Sequence, residues 1–202
     1  MNILIVSGTP KKGGLSYRLT EAAKEAALNA GANAEVIELT GLTACRMCGD
    51  GWGECKAKRR CIFGDDDNFN IFHEKTRWAD NFVFITPVYW GEVSEGMKIF
   101  LDKLRRCESS KRDPNEAEPK YLEGKSSILV ASAGGGGGGI TSTFVQMERA
   151  INHLGGATYP YSIYGFFDYI AVNRWNQEFK VEALMKSVAA LVKHCDERTN
   201  NI

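Results

Sequence analysis

The sequence carries no surplus of charge, with 25 lysines and arginines against 25 aspartates and glutamates. A balanced chain lacks the field that draws proteins to nucleic acid or to anionic membranes, so neither is an expected partner. No apolar run is long enough to span a bilayer. Met1 leads straight into an apolar segment and leaves no room for a secretory signal, so a cytoplasmic location is expected. Histidine is scarce. His73, His153 and His194 all fall in segments with helical periodicity, and no spacing among them suggests ligation or a triad. No general base stands out. What the chain does have is 44% apolar residues in 202 positions, enough for the core of one α/β domain over 1–202. It also has six cysteines, which in a reducing compartment are thiols or metal ligands rather than disulfides.

The organising stretch is Asn2 to Ser16. Ile3, Leu4, Ile5 and Val6 form an unbroken apolar run, as in a strand buried on both faces of a parallel sheet. A loop of Gly, Pro, Ser and Thr follows, and helical periodicity begins at Leu15. A helix start placed after such a loop is an anion site, because its first amides lack partners and its dipole favours negative charge. Ser7, Thr9 and Ser16 add hydroxyls, Gly13 and Gly14 allow close backbone approach, and Lys11 and Lys12 add charge. Neither the nucleoside-triphosphate loop nor the dinucleotide fingerprint fits the spacing, and a single phosphomonoester fits better. The plain alternative is an ordinary strand–helix connection with Ser16 as N-cap.

Further along, Ala34–Leu39, Phe82–Thr86, Ser127–Ser132 and, more weakly, Thr158–Tyr164 read as strands. Helices are expected to Gly31, over Asn68–Trp78, Val93–Cys107, Thr141–Leu154 and Gln177–Cys195. Asp65, Asp66 and Asp67 suit the N-terminus of the second of these. Thr40–Asp67 is irregular and holds four cysteines, in a cysteine-rich loop at 43–67. Glu108–Glu123 is a polar excursion broken by Pro114 and Pro119, and Phe166, Phe167, Tyr169 and Trp175 form an aromatic patch. Five alternations of strand and helix point to a doubly wound parallel sheet, which binds ligands at the carboxyl ends of its strands.

Three loops at those ends stand out. The second, Thr86-Pro87-Val88-Tyr89-Trp90-Gly91, places two aromatics where a flat heteroaromatic ring can lie, although most aromatics serve packing. The third, Ser132-Ala133 and the glycines 134–139, joins a buried strand to a helix, so it is no linker. Glycine there lets the backbone reach a ligand. A phosphate on a short chain ending in a planar ring spans all three loops. Flavin mononucleotide (FMN) is that shape.

Ser7-Gly8-Thr9-Pro10-Lys11, the Thr86–Gly91 loop and the glycine-rich segment resemble the NADPH-dependent FMN reductase family over about the first 155 residues. The resemblance implies a flavodoxin-like three-layer fold with a five-stranded parallel sheet in the order 2-1-3-4-5. It implies FMN phosphate held by Ser7, Thr9, Lys11, Gly14, Leu15 and Ser16. The isoalloxazine would lie against Pro87, Val88, Tyr89, Trp90 and Gly91 and the backbone of Ser132, Ala133, Gly134, Gly135 and Gly139. Gly14-Leu15-Ser16 stands where the family has Gly-Asn-Thr, so this chain has no side-chain amide at Leu15.

Cys45, Cys48, Cys55 and Cys61 are spaced C-x2-C-x6-C-x5-C. Four thiols in a short glycine-containing loop suit zinc or an iron–sulfur cluster, and free thiols are the bland alternative. The arrangement is similar to the iron–sulfur flavoprotein branch of the same superfamily, with a longer middle spacing. Electron transfer beside a flavin favours a [4Fe–4S] cluster over zinc. Cys107 and Cys195 are expected to be packed, inert thiols. The resemblance implies an oxidoreductase that passes electrons from NADPH or NADH through FMN to a quinone, free flavin or iron–sulfur acceptor. An electron carrier without NAD(P)H activity is the alternative. A ferredoxin-type or small-molecule partner and a homodimer or homotetramer complete the expectation.

Overall fold

Ile3 and Ile5 pack into one apolar layer while Leu4 and Val6 pack into another, and this alternation sets the architecture. The computed structural model describes residues 1–48, 54–108, 120–158 and 169–200. Strand β1 (Asn2–Ser7) pairs in parallel with β2 (Asn33–Glu38) on one side and β3 (Asn81–Tyr89) on the other. Strand β4 (Glu92–Val93) folds back antiparallel on β3, and β5 (Ser126–Ser132) pairs with β3 in parallel. Two short strands, β6 (Ala157–Thr158) and β7 (Tyr169–Val172), share the far edge of β5, both parallel to it.

Helices cover both faces. Leu19, Ala23, Ala26 and Ala27 of α1 (Leu15–Asn29) meet Leu184, Val188, Leu191 and Val192 of α6 (Gln177–Asn200) beneath Ile3 and Ile5. The opposite layer takes the five-residue α2 (Glu54–Lys58), α3 (Phe69–Trp78), α4 (Glu95–Glu108) and α5 (Ile140–His153). Burying a sheet on both faces forces its strands to be apolar throughout and its loops to gather at two ends.

The three-layer flavodoxin-like class and the order of the four long strands agree with expectation. The count of strands does not. The expected fifth strand holds only at its first residue, Thr158, because 159–168 lie outside the described residues and the outer pairing is completed by β7. Tyr169–Val172, read from sequence as part of an aromatic patch, alternates half-buried and buried as an edge strand does. Phe166 and Phe167 fall outside the described residues, as does 109–119 of the polar excursion, whose first residue, Glu108, ends α4. The expected loop after the third strand is shorter than read. β3 continues to Tyr89, and Trp90 and Gly91 form the whole turn, at φ 54° and 81°. Positive φ at both central residues suits a two-residue hairpin.

One buried ion pair ties the cysteine-bearing segment to this frame. The Lys103 Nζ of α4 donates to Asp67 Oδ2 at 2.6 Å, with both side chains shut off from solvent. The same oxygen accepts the amide and hydroxyl of Thr43, each at 2.8 Å, and Oδ1 accepts the Phe69 amide at the start of α3. Burial pushes the Asp67 carboxyl up, and the Lys103, Thr43 and Phe69 bonds more than offset it, leaving it below the usual carboxylate range. Asp65 and Asp66 pair instead with Arg60 and Arg46. The aspartate run is therefore a tether as well as a helix start.

Asp67→Asn leaves the Lys103 ammonium buried without its counter-charge, which is expected to cost about 3–5 kcal/mol in denaturant unfolding; an unchanged midpoint contradicts the tether. Because the folded-state carboxyl titrates below its unfolded value, its contribution is complete above about pH 4 and is lost as pH falls further. The Asp67→Asn chain is expected to lose less stability than the parent over that acid range.

Candidate functional site

Helix α1 starts at the carboxyl end of β1 with Gly14 as its N-cap, no side-chain cap and no acidic residue in its first turn. Ser16, expected as a possible N-cap, lies inside the helix instead. The first-turn amides are thus left for an anion. They border a cleft of about 320 Å³ lined on this side by Thr9, Lys11, Gly14, Leu15 and Ser16. Its opposite wall is Pro87 and Tyr89 of β3 with Ser132, Ala133, Gly134 and Gly135 after β5. The Ser16 and Ser132 hydroxyls, 116 residues apart in sequence, hydrogen-bond at 2.6 Å across the cleft floor.

Not every expected residue reaches this cleft. Ser7 is fully buried below it, its hydroxyl 3.0 Å from that of Thr20, which in turn donates to the Ser16 carbonyl. Ser7 braces the helix start from underneath. Val88, Trp90, Gly91 and Gly139 also stand off the cleft lining. Trp90 is fully exposed at the hairpin turn. Gly91 and Gly139 face each other, and a Cβ on Gly139 would stand 2.4 Å from the Gly91 Cα. The Ser142 hydroxyl of α5 donates to the Gly91 carbonyl and holds this contact. Glycine at 139 lets the hairpin close on the third loop.

Two residues lining the cleft were missed from sequence. Arg174 and Gln177 reach it from the segment following β7. The Arg174 amide donates to the Gly135 carbonyl at 3.3 Å, and Asn173 and Asn176 order the turn between strand and helix. The signal available was the rule that ligands gather at strand carboxyl ends, which needed β7 to be recognised as a strand.

A second cavity of about 460 Å³ adjoins the first. Tyr89 lines both, and Gly8, Leu39, Leu42, Ser94 and Ile99 are among the remaining walls. On its far side the chain continues from Leu42 to Thr43, the first residue of a third, narrow cavity of about 20 Å³. Cys45, Cys48, Cys55 and Cys61 all line that cavity, together with Arg46, Lys103, Arg106 and, unexpectedly, Cys107 of α4. Among the described residues no carboxylate lines it. Among the described residues, no group of three or more His, Cys, Asp or Glu is set round a single metal ion. Burial pushes the Cys55 thiol up, and so do its neighbours Cys48, Cys61 and Cys45. Cys107 is pushed up further, chiefly by burial and then by Cys55 and Cys61. Such thiols stay protonated unless a metal takes the proton's place. Cys195 has its side chain outside the described residues.

The histidines add a structural contact that spacing did not reveal. His73 Nε2 lies 2.6 Å from Glu108 Oε1, and Arg77 and Arg59 bond to the same buried carboxylate. Burial pushes Glu108 up and the His73 and Arg77 bonds carry it below the usual range. Arg59 belongs to the cysteine loop, so this carboxylate is its second anchor on α4.

Comparison with known proteins agrees with this fold. The chain is 30% identical over 111 residues to an iron–sulfur flavoprotein of Methanosarcina thermophila, covering 52% of this chain and 55% of that protein. The chain spans about half the length of the curated relatives it matches. Among solved structures it is similar to an NAD(P)H:quinone oxidoreductase from Methanothermobacter marburgensis, with TM-score 0.67 and 16% identity over 95% of this chain and 96% of that one. It is also similar to an FMN-dependent NADH-azoreductase from Bacillus anthracis str. Ames Ancestor, solved in complex with FMN, with TM-score 0.65 and 12% identity over 96% and 98%. At those identities the likeness speaks for the fold. The profile of the NADPH-dependent FMN reductase family matches residues 1–166, and with this fold and cleft the chain belongs to that family.

Proposed function

We propose that the chain is an FMN-dependent NAD(P)H oxidoreductase that hands electrons to a quinone, a free flavin or an iron–sulfur acceptor. The observation that carries this reading is the cleft with one anionic and one planar end. Its phosphate end has the uncapped α1 amides, the Thr9 and Ser16 hydroxyls and the Lys11 charge, and Arg174 adds a second cation to the cleft lining. Its ring end has Pro87, Tyr89 and the glycine backbone at 134 and 135, where a Cβ would meet nothing within 4 Å. These residues fit FMN. When bound, FMN accepts hydride at N5 and passes electrons on.

The protein's part is to hold and orient. Lys11 faces the phosphate, Arg174 adds positive charge to the same cleft, and Ser16, locked to Ser132, donates from a fixed position. Ser7 contributes indirectly, through Thr20 and the placement of α1. Val88, Trp90 and Gly91 stand off the cleft lining, and the packing of Gly139 on Gly91 and Val88 holds the hairpin against the glycine loop. The cavity of about 460 Å³ beside Tyr89 offers room for the nicotinamide or for an acceptor. A helix long and apolar enough to cross a membrane is absent among the described residues, and a cytoplasmic setting is part of the proposal. The exposed Trp90 and Trp175 suit contact with a second copy of this chain, as a homodimer or homotetramer, or with a ferredoxin-type partner.

The donor set at Cys45, Cys48, Cys55 and Cys61 suits a [4Fe–4S] cluster by its chemistry: four thiols, with no competing carboxylate among the described lining residues, and Arg106 on the same wall. The names of the curated relatives favour the same group. This supports a second reading, an electron carrier whose flavin exchanges electrons with a protein partner and not with NAD(P)H.

Anaerobic rapid mixing with NADPH and with NADH separates the readings. Bleaching of bound flavin within seconds is expected, and failure with both nucleotides contradicts the reductase reading and leaves the carrier. Arg174→Ala and Lys11→Ala are each expected to raise the FMN Kd about tenfold, roughly 1.4 kcal/mol. Both should also flatten its dependence on salt. Titration by flavin fluorescence reads this, and unchanged affinity in both variants contradicts the phosphate end assigned here.

A further inference from the structure

Among the described residues five thiols, not four, line the cysteine cavity, and a tetra-thiolate cluster needs only four. Three of them, Cys45, Cys48 and Cys61, are half-buried, whereas Cys55 and Cys107 are 5% and 2% exposed. The two buried thiols come from different elements that pack on one another, Cys55 from α2 and Cys107 from α4. α2 is a five-residue helix, while α4 is a long helix fixed by the Asp67–Lys103 and Glu108 contacts. The rigid thiol is therefore Cys107.

We propose that Cys107 is a standby ligand: a cluster in this cavity requires Cys45, Cys48 and Cys61 plus either Cys55 or Cys107. The proposal rests on reading the cavity as an iron–sulfur site. In the exchange a Cys55–iron bond breaks and a Cys107–iron bond forms. The proton leaving the Cys107 thiol passes to the released Cys55 thiolate, so no electron moves. Arg46, Lys103 and Arg106 line the cavity whichever thiol is bound, so the total charge they face stays the same.

The test uses the full chain purified anaerobically and reconstituted with ferrous iron and sulfide, as parent, Cys55→Ser, Cys107→Ser, the double variant and Cys48→Ser. Iron and acid-labile sulfide per chain, the electron paramagnetic resonance spectrum after dithionite, and FMN content are measured. Cys107→Ser is expected to match the parent. Cys55→Ser should keep at least half of the parent's iron with a shifted resonance spectrum, and the double variant should fall below a tenth. Cys48→Ser, for which no standby exists, should also fall below a tenth. Iron loss in Cys55→Ser as complete as in the double variant overturns the proposal, and so does a double variant that keeps its iron. Iron missing from the parent too overturns the cluster reading itself, a distinguishable result. If the double serine variant loses its FMN, Cys55→Ser/Cys107→Ala, with no hydroxyl to bury at 107, decides in its place.

Discussion

The structure depends on a helix start that no side chain caps among the described residues. Strand β1 is apolar on both faces, so it must sit inside a parallel sheet, and a parallel connection must pass through a helix. That places the α1 N-terminus at the sheet's carboxyl edge with its first amides uncapped. Such amides are suited to an anion supplied from outside. The Ser7–Thr20–Ser16 hydroxyl chain fixes the helix start, and the Ser16–Ser132 bond connects it to the loop after β5. The cleft follows from these contacts.

From there the arrangement runs outward in order. Tyr89 is common to the cleft and the larger cavity, and the Leu42–Thr43 peptide lies between that cavity and the cysteines. The cleft and the larger cavity thus share one aromatic ring, and the peptide after Leu42 leads to the cysteine cavity. Two buried carboxylates hold the cysteine-bearing segment. Asp67 fixes Thr43 and α3 to Lys103, and Glu108 fixes Arg59, His73 and Arg77 to the end of α4. Both carboxylates sit where a charge alone would be costly, and several donors offset that cost.

What could be read from sequence was what local chemistry decides. The apolar run Ile3–Val6, the small-residue loop after it and the periodicity from Leu15 located the strand, the helix start and one wall of the cleft, because a buried strand and a helix start each leave a local pattern. Ser16, Lys11, Pro87, Tyr89 and the glycines at 134 and 135 were reachable on that basis. Arg174 and Gln177 were not, since β7 is four residues long and lies among aromatics that disguise its alternation. Trp90 was legible as a loop residue, but its backbone at φ 54° was not, and that conformation accompanies its turning outward. Cys107 and Glu108 look ordinary on a helix. Their roles come from long-range packing of α2, α3 and α4, which no spacing rule encodes.

The central claim is that the cleft at the carboxyl edge binds FMN through its phosphate and ring. The most direct measurement is the visible spectrum of the anaerobically purified chain, with extracted flavin identified and quantified per chain. The account predicts FMN near one equivalent per chain, or its uptake to that level on addition. Colourless protein that takes up no added FMN would contradict it.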